Sequence, residues 1–271
     1  MAFSVLMSLY CKEKPEYLVQ CLDSVFNQTL RADEVILVED GPLTPELYKV
    51  VEYYKHNNKE LVVIPLEKNG GLGNALNEGL KYCTYDIVAR MDTDDVAFPN
   101  RFQRQVGELD LHPEYDVVSS WVIEFEGTPE NVIGINHLPE TCQEIKEYAK
   151  MKCPVAHSAT VFRKKSVLAA GGYFVKYFPE DYYLWVKMLH SGCIFYNIQE
   201  PLIYFRTSLE TMKKRGGIKY ALDEYRVEKM MLNIGFISFL EFLRNCVLRC
   251  GMRIIPTSLR GWIYKKYKYK K

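Results

Sequence analysis

Asp86-Ile87-Val88-Ala89-Arg90-Met91-Asp92-Thr93-Asp94-Asp95 runs an apolar stretch directly into a cluster of carboxylates. The stretch 86–91 reads as a buried strand. Three carboxylates within four residues repel one another unless a cation or strong donors stand among them. Working outward from this strand, Ala2 to Leu9 reads as a first strand, and Pro15 to Gln28 as a helix with apolar positions at Leu18, Leu22, Val25 and Phe26. Glu34 to Glu39 is a second strand ending in Asp40-Gly41-Pro42, followed by a helix over Pro45 to Asn57. Leu61 to Pro65 is a third strand, and the glycine turn Asn69-Gly70-Gly71 leads into a helix over Gly73 to Cys83. Strands alternating with helices predict βαβ units and a parallel sheet covered on both faces. Ligands bind such sheets outside the carboxyl ends of the strands, where Ser8, Asp40 and the Asp92 cluster fall.

The middle third mixes strands at Val117 to Phe125, Ala159 to Phe162 and Cys193 to Ile198 with helices at Thr141 to Met151 and Asp181 to His190, which suits a mixed continuation of the same sheet. From Leu209 onward the chain reads as helices. At 271 residues and 48% apolar, it can bury a full core but is short for two independent domains. The balance of 35 Lys+Arg against 34 Asp+Glu, +1 overall, gives no electrostatic reason to seek nucleic acid. The eight cysteines form no CxxC pair or Cys/His cluster and read as buried thiols of a reducing compartment. The chain opens without a basic leader, and no window approaches the roughly 18 apolar residues of a membrane span, so a cytoplasmic protein is expected.

Hard oxygen ligands in small number suit Mg²⁺ or Mn²⁺ shared with phosphates, because these ions keep several waters and use one or two carboxylates. An EF-hand loop does not fit: Val96 takes its fifth ligand position and Ala97 the place where glycine is needed. The plain alternative is a solvated turn whose aspartates cap the next helix.

The order of motifs resembles family-2 glycosyltransferases of the GT-A fold from about Phe3 to Gly217. The matching stretches are Ser4-Val5-Leu6-Met7-Ser8, Ser24 to Thr29, Val38-Glu39-Asp40-Gly41-Pro42 and Asn69 to Leu80. Arg90 to Asp95 follows with Pro99-Asn100-Arg101, then His157 ahead of Val161-Phe162-Arg163, Gly171-Gly172-Tyr173, and Glu180 to Trp185. Glu39, Pro42 and Cys11 depart from the usual residues at their positions. The fold implied is α/β: a mixed, mostly parallel sheet flanked by helices, with a Rossmann-like nucleotide-binding half and a helical C-terminal extension. The implied division is a catalytic domain over 1–217, donor half 1–100 and acceptor half 101–217, with the extension at 218–271.

The resemblance further implies a transferase moving a sugar from a nucleotide-sugar, UDP-linked by preference, to an acceptor hydroxyl with inversion. Ser8 and Asp40 are then expected at the nucleotide base, Asp92 at the ribose and diphosphate, Arg90 among the donor-binding residues, and Asp94 or Asp95, with Asp92, on the divalent metal. Asp181 matches the base position, with Glu180 beside it, and His157 and Trp185 fall on the acceptor side. Each has a plainer reading: an Asx turn for Asp40, a dipole-complementing acid for Asp181, a satisfied core group for His157. Arg206, Lys213, Lys214 and Arg215 are candidate cations for the diphosphate or simply a solvated basic face.

After Glu241 there is no acidic residue but nine Lys and Arg, interleaved with Trp262, Tyr264, Tyr267 and Tyr269. That composition suits a surface seated on anionic headgroups, unless it is an ordinary helix packed on the core. With the resemblance it implies a peripheral enzyme on the inner face of the cell membrane, extending a polyprenyl-diphosphate-linked saccharide in capsule, exopolysaccharide or O-antigen assembly. The rivals are a sugar-phosphate nucleotidyltransferase and a non-enzymatic carbohydrate- or lipid-binding module. The former needs a glycine-rich loop where this chain has Ser8-Leu9-Tyr10-Cys11-Lys12, and the latter has no use for Asp92, Asp94, Asp95 and Asp181 together.

Overall fold

The computed structural model describes residues 1–176, 179–207 and 216–255. Its first half follows the expected alternation: β1 (Ser4–Leu9), α1 (Pro15–Phe26), β2 (Glu34–Glu39), α2 (Pro45–Asn57), β3 (Leu61–Pro65), α3 (Leu72–Tyr82) and β4 (Ile87–Asp92). Local chemistry sets the boundaries. Pro15 and Pro45 occupy first-turn positions where no backbone N–H is needed, and the Thr44 hydroxyl accepts from the Leu47 N–H. The second half contains β5 (Val96–Ala97), α4 (Arg101–Leu111), β6 (Val117–Phe125), β7 (Val132–Asn136), α5 (Cys142–Tyr148), β8 (Val161–Arg163), α6 (Lys164–Ala169), α7 (Glu180–His190) and β9 (Phe195–Arg206). Helices Ile218–Asn233 and Phe239–Asn245 follow, the second continued by a π-helical turn, Cys246–Cys250, and Gly251–Ile254.

Nine strands among the described residues form one sheet in the order β3-β2-β1-β4-β8-β6-β9-β5, with β7 on the side of β6. β3, β2, β1 and β4 are mutually parallel, β8 is antiparallel to both β4 and β6, and β6 and β9 are parallel. Two antiparallel steps return the chain to its first direction, so β6 and β9 end on the same edge as β1, β2 and β4. Two short strands, β5 and β7, were not expected from sequence, and β9 runs eight residues past the expected Ile198 through a bulge near Pro201.

Strand parity divides the core. Val5, Met7, Val35, Leu37, Ala89 and Met91 face one layer, while Leu6, Ile36, Val38 and Val88 face the other. On that second face α3 lies close to the sheet. A Cβ on Gly79 would overlap Leu6 and come within 2.7 Å of Val38 Cγ2, so only glycine allows the approach. Cys21 and Cys83 are buried, but the other cysteines are partly or fully accessible and all eight are free, which corrects the expectation of uniformly buried thiols. No helix among the described residues is long and apolar enough to cross a membrane.

Candidate active site

The shared edge of the strands opens into a cavity of ≈ 870 Å³. Ser8, Asp40, Asp92 and Asp94 all border it, together with Tyr10, Glu13, Tyr17, Gly71, Arg206 and Thr207. Register explains the convergence. Ser8 pairs directly with Asp92 across β1 and β4, and the Asp40 N–H donates to the Leu9 carbonyl at 2.7 Å.

Asp40 is nearly buried, and its two carboxylate oxygens accept from the Gly70 and Gly71 N–H groups at 2.7 and 3.0 Å. Its carboxylate therefore builds the glycine turn at the cavity rim, in the manner of an Asx turn across sequence. The backbone there is tight: a Cβ on Gly41, at φ +84°, would sit 2.5 Å from the Asn69 nitrogen.

Arg90 does not reach the cavity. It is fully buried on the α3 side of β4 and holds the Asp92 carboxylate from beneath through Nη2, while Nη1 donates to backbone carbonyls. Expected among the donor-binding residues, it meets the cavity lining through Asp92. A second buried arginine, Arg101, braces the strand by donating to the Arg90 carbonyl at 2.6 Å and to Gln105 at 2.9 Å. Burial pulls the Arg101 guanidinium down to about 9.

Asp94 and Asp95 part company. Asp94 borders the cavity; Asp95 is fully buried, lies outside the lining, and accepts the Arg206 backbone N–H at 2.7 Å. The reason is β5, whose pairing with β9 turns Asp95 into the sheet. Burial, then the neighbouring Asp92 and Glu13 carboxylates, pushes the Asp94 carboxyl up to about 7. Glu13 is itself raised, chiefly by burial, and accepts from Thr93 Oγ1 at 3.0 Å. Among the described residues no three His, Cys, Asp or Glu side chains close into a metal cage. Crowded carboxylates on an open cavity nonetheless fit a divalent cation that completes its shell from phosphate oxygens.

Arg206 closes one wall. Its guanidinium lies 3.8 Å from the Tyr17 ring centroid and 4.5 Å from that of Phe125, and it donates to the Asp94 carbonyl, the Gly127 carbonyl and Gln20. Lys213, Lys214 and Arg215 lie outside the described residues.

Glu180 and Asp181 open α7, away from the cavity lining. Asp181 is partly exposed; Oδ1 accepts from the Tyr182 N–H at 2.8 Å, and the Cys153 thiol lies 3.7 Å from Oδ2. Glu180 is buried, and burial followed by the Asp181 charge pushes its carboxyl up to about 7. Asp92 and Arg90 also act on Glu180, which places the start of α7 within electrostatic reach of the cavity. His157 makes a 3.1 Å contact from Nε2 to Tyr173 Oη; burial, then Arg90, pulls it down to about 4, so it is neutral near pH 7. Trp185 is wholly buried among His157, Phe162, Tyr173 and Phe195. It is a core residue, which corrects its expected acceptor-side place: five residues after Glu180, it points into the sheet.

Sequence reading missed Glu13, Thr93 and Tyr17. Glu13 and Tyr17 lie in or just after the segment between β1 and α1 and Thr93 in the turn after β4, and the proximity of both segments to carboxyl-terminal strand ends was the available signal.

A profile for glycosyl transferase family 2 matches residues 4–170. A UDP-Gal:alpha-D-GlcNAc-diphosphoundecaprenol beta-1,3-galactosyltransferase of Escherichia coli is 41% identical over 266 residues, spanning 97% of this chain and 95% of its own. The amylovoran biosynthesis glycosyltransferase AmsE of Erwinia amylovora is 39% identical over 97% of this chain and 98% of its own. Among solved structures, S. aureus TarS 1-349 in complex with UDP-GlcNAc superposes with a TM-score of 0.66 at 20% identity, covering 93% of this chain and 72% of that one. The mannosyltransferase PcManGT of Pyrobaculum calidifontis, in complex with GDP-Man and Mn²⁺, also gives 0.66, at 15% identity over 100% of this chain and 77% of that one. At these identities the two structures speak to the fold.

Proposed function

Because the chain belongs to glycosyl transferase family 2, and is a glycosyltransferase with the α/β arrangement of the GT-A fold, we propose that it transfers a hexose from a UDP-sugar to a saccharide on a polyprenyl diphosphate. The single observation that supports this most is the full-length likeness to the E. coli galactosyltransferase, whose name gives a UDP-linked donor and a diphosphate-lipid acceptor. UDP-Gal is therefore the first donor to test. The product belongs to a cell-surface polysaccharide, in line with the amylovoran relative. On this reading residues 1–217 are the catalytic domain and 218–271 an extension that holds the enzyme at the inner face of the membrane.

In the proposed reaction Ser8 and the glycine turn held by Asp40 shape the nucleoside end of the cavity. Arg90 fixes the Asp92 carboxylate toward ribose and diphosphate. Asp94, helped by Asp92, is the residue that would hold a divalent cation, which neutralises the leaving nucleoside diphosphate when bound. Asp95 instead orients the turn from below. Asp181 takes the acceptor hydroxyl proton as that oxygen attacks the anomeric carbon from the face opposite the diphosphate, giving inversion. Partial exposure favours Asp181 over the buried Glu180, which an acceptor reaches less readily. His157, neutral and bonded to Tyr173, lies against the Trp185 ring of α7.

Calorimetry with UDP, GDP and CDP, with and without Mn²⁺, tests the donor half. Selective, cation-dependent UDP binding is expected; equal affinity for the three, or equal UDP affinity in chelator, contradicts it.

A further inference from the structure

The C-terminal helical segment 239–254 is amphipathic in the inverted sense. Surface helices ordinarily turn apolar side chains inward and polar ones to water. Here Leu240, Leu243, Val247 and Ile254 recur on one outward stripe, at 77, 46, 73 and 64% exposure, flanked by Phe239 and Leu248. The inward side carries Phe242 against the core, but from Asn245 onward its anchoring contacts are polar. Asn245, wholly buried, donates to Glu228 Oε2 at 2.8 Å and to the Lys150 carbonyl at 2.6 Å. Arg249 pairs with Glu224 and Glu228 and donates to Tyr182 Oη at 2.9 Å, and Arg253 pairs with Glu224 at 2.6 Å.

The inversion is built in. Asn245, Arg249 and Arg253 follow one another every four residues, a spacing that drifts by about 40° per step on a regular α-helix. The π turn at Cys246–Cys250 is under-wound and keeps the three in one inward row. Burying these ions costs desolvation, which a core of the apolar side chains now facing outward would avoid. The arrangement makes sense where the outer medium is itself apolar. The neighbouring helix Ile218–Asn233 leaves Ile218 and Leu222 outward in the same way, at 73 and 48%.

The geometry points to this face as a membrane-docking surface that enters the interface of an anionic bilayer. Charge selects the occupant. Beyond Glu241 the sequence has nine Lys and Arg and no Asp or Glu; among the described residues of this stretch Arg249 and Arg253 turn inward to ion pairs while Arg244 is exposed. A second copy of this chain would bring like charges together, whereas anionic headgroups over acyl chains satisfy both the cations and the apolar stripe. The inference rests on the lipid-acceptor reading above and deepens it: docking is by the outward face of the folded helices and not by the basic tail alone. Through Arg249 the same helix holds Tyr182, next to Asp181, so the docking face and the base helix form one packed unit.

The test uses the full chain and the variant Leu240→Glu/Val247→Glu, with Leu240→Gln/Val247→Thr as a milder pair. Each is sedimented with vesicles of phosphatidylcholine and phosphatidylglycerol, with melting and oligomeric state measured alongside. The expected result is wild-type co-sedimentation and roughly tenfold or weaker vesicle affinity in the Glu pair, with melting unchanged. Transfer to a water-soluble, short-chain acceptor stays at the wild-type rate, while transfer to acceptor embedded in vesicles falls. Co-sedimentation of the Glu pair equal to wild type, wild type remaining in the supernatant, or a change of oligomeric state in either variant overturns the inference. Vesicle binding as expected, with no transfer to any diphosphate-lipid acceptor, would leave the docking face standing and sink the acceptor reading instead.

Discussion

The Nε of Arg206, at the end of β9, donates to the backbone carbonyl of Asp94 at 2.7 Å, and the Arg206 N–H donates to the buried Asp95 carboxylate at the same distance. One residue thus fixes both sides of the carboxylate turn to a strand 111 positions away in sequence. Arg206→Lys keeps the charge and loses the planar fork. It should lower stability by about 2–3 kcal/mol and weaken UDP binding, because the turn is no longer held. A group that merely offers a cation to phosphate would tolerate lysine, so unchanged melting and affinity would remove the clasp role.

Asp94 and Asp95 should separate experimentally. Asp94→Asn is expected to abolish the Mn²⁺ dependence of UDP binding while the protein melts normally. Asp95→Asn is expected to lower the melting temperature while leaving a cation-dependent, if weaker, UDP isotherm. Calorimetry and melting on the same preparations check this, and the reverse pattern would exchange the two roles.

For Asp181→Asn, shape and hydrogen-bonding reach survive but the proton acceptor is lost. Turnover should fall by roughly 10²-fold or more, with UDP affinity nearly unchanged. Retained turnover would move the base to Glu180, and Glu180→Gln measured beside it reads that outcome directly.

His157 gives a pH signature. Its pKa is about 4 in the folded chain against 6.5 ordinarily, so the unfolded chain takes up the proton first as pH falls. Its contribution to stability is complete above pH 6.5 and is lost between 6.5 and about 4, on the order of 2 kcal/mol by pH 4.5. Glu180, raised to about 7, acts in the opposite sense: its contribution is complete below its unfolded value and lost as pH rises toward 7. It is shared by wild type and His157→Gln, so the difference between their urea midpoints isolates the histidine. Parallel profiles from pH 7 to 4.5 would contradict the assignment.

What was legible in sequence follows from range. β1, β2, β3 and β4 are continuous apolar runs bounded by turn residues, and their parallel pairing follows from the intervening helices, so Ser8, Asp40 and Asp92 could be placed on one edge in advance. β5 is two residues long and exists only because β9 pairs with it; nothing in Val96-Ala97 announces that partner. The separation of Asp94 from Asp95 depends on that pairing and was invisible for the same reason. Arg90 read as a ligand because it adjoins the carboxylates, yet strand parity sends it beneath them. Trp185 read as an acceptor residue from its motif, and helix phase sends it into the core. The polar face of 239–254 was unreadable, because its partners Glu224 and Glu228 sit on another helix.

The most direct measurement is mass spectrometry of a GlcNAc-diphosphate-lipid acceptor incubated with enzyme, Mn²⁺ and UDP-Gal, with other UDP-hexoses in parallel. The account predicts a product heavier by one hexose, formed with stoichiometric UDP release, and lost in both Asp94→Asn and Asp181→Asn. An acceptor left unmodified by every UDP-hexose, or a product formed equally well by the two variants, would contradict it.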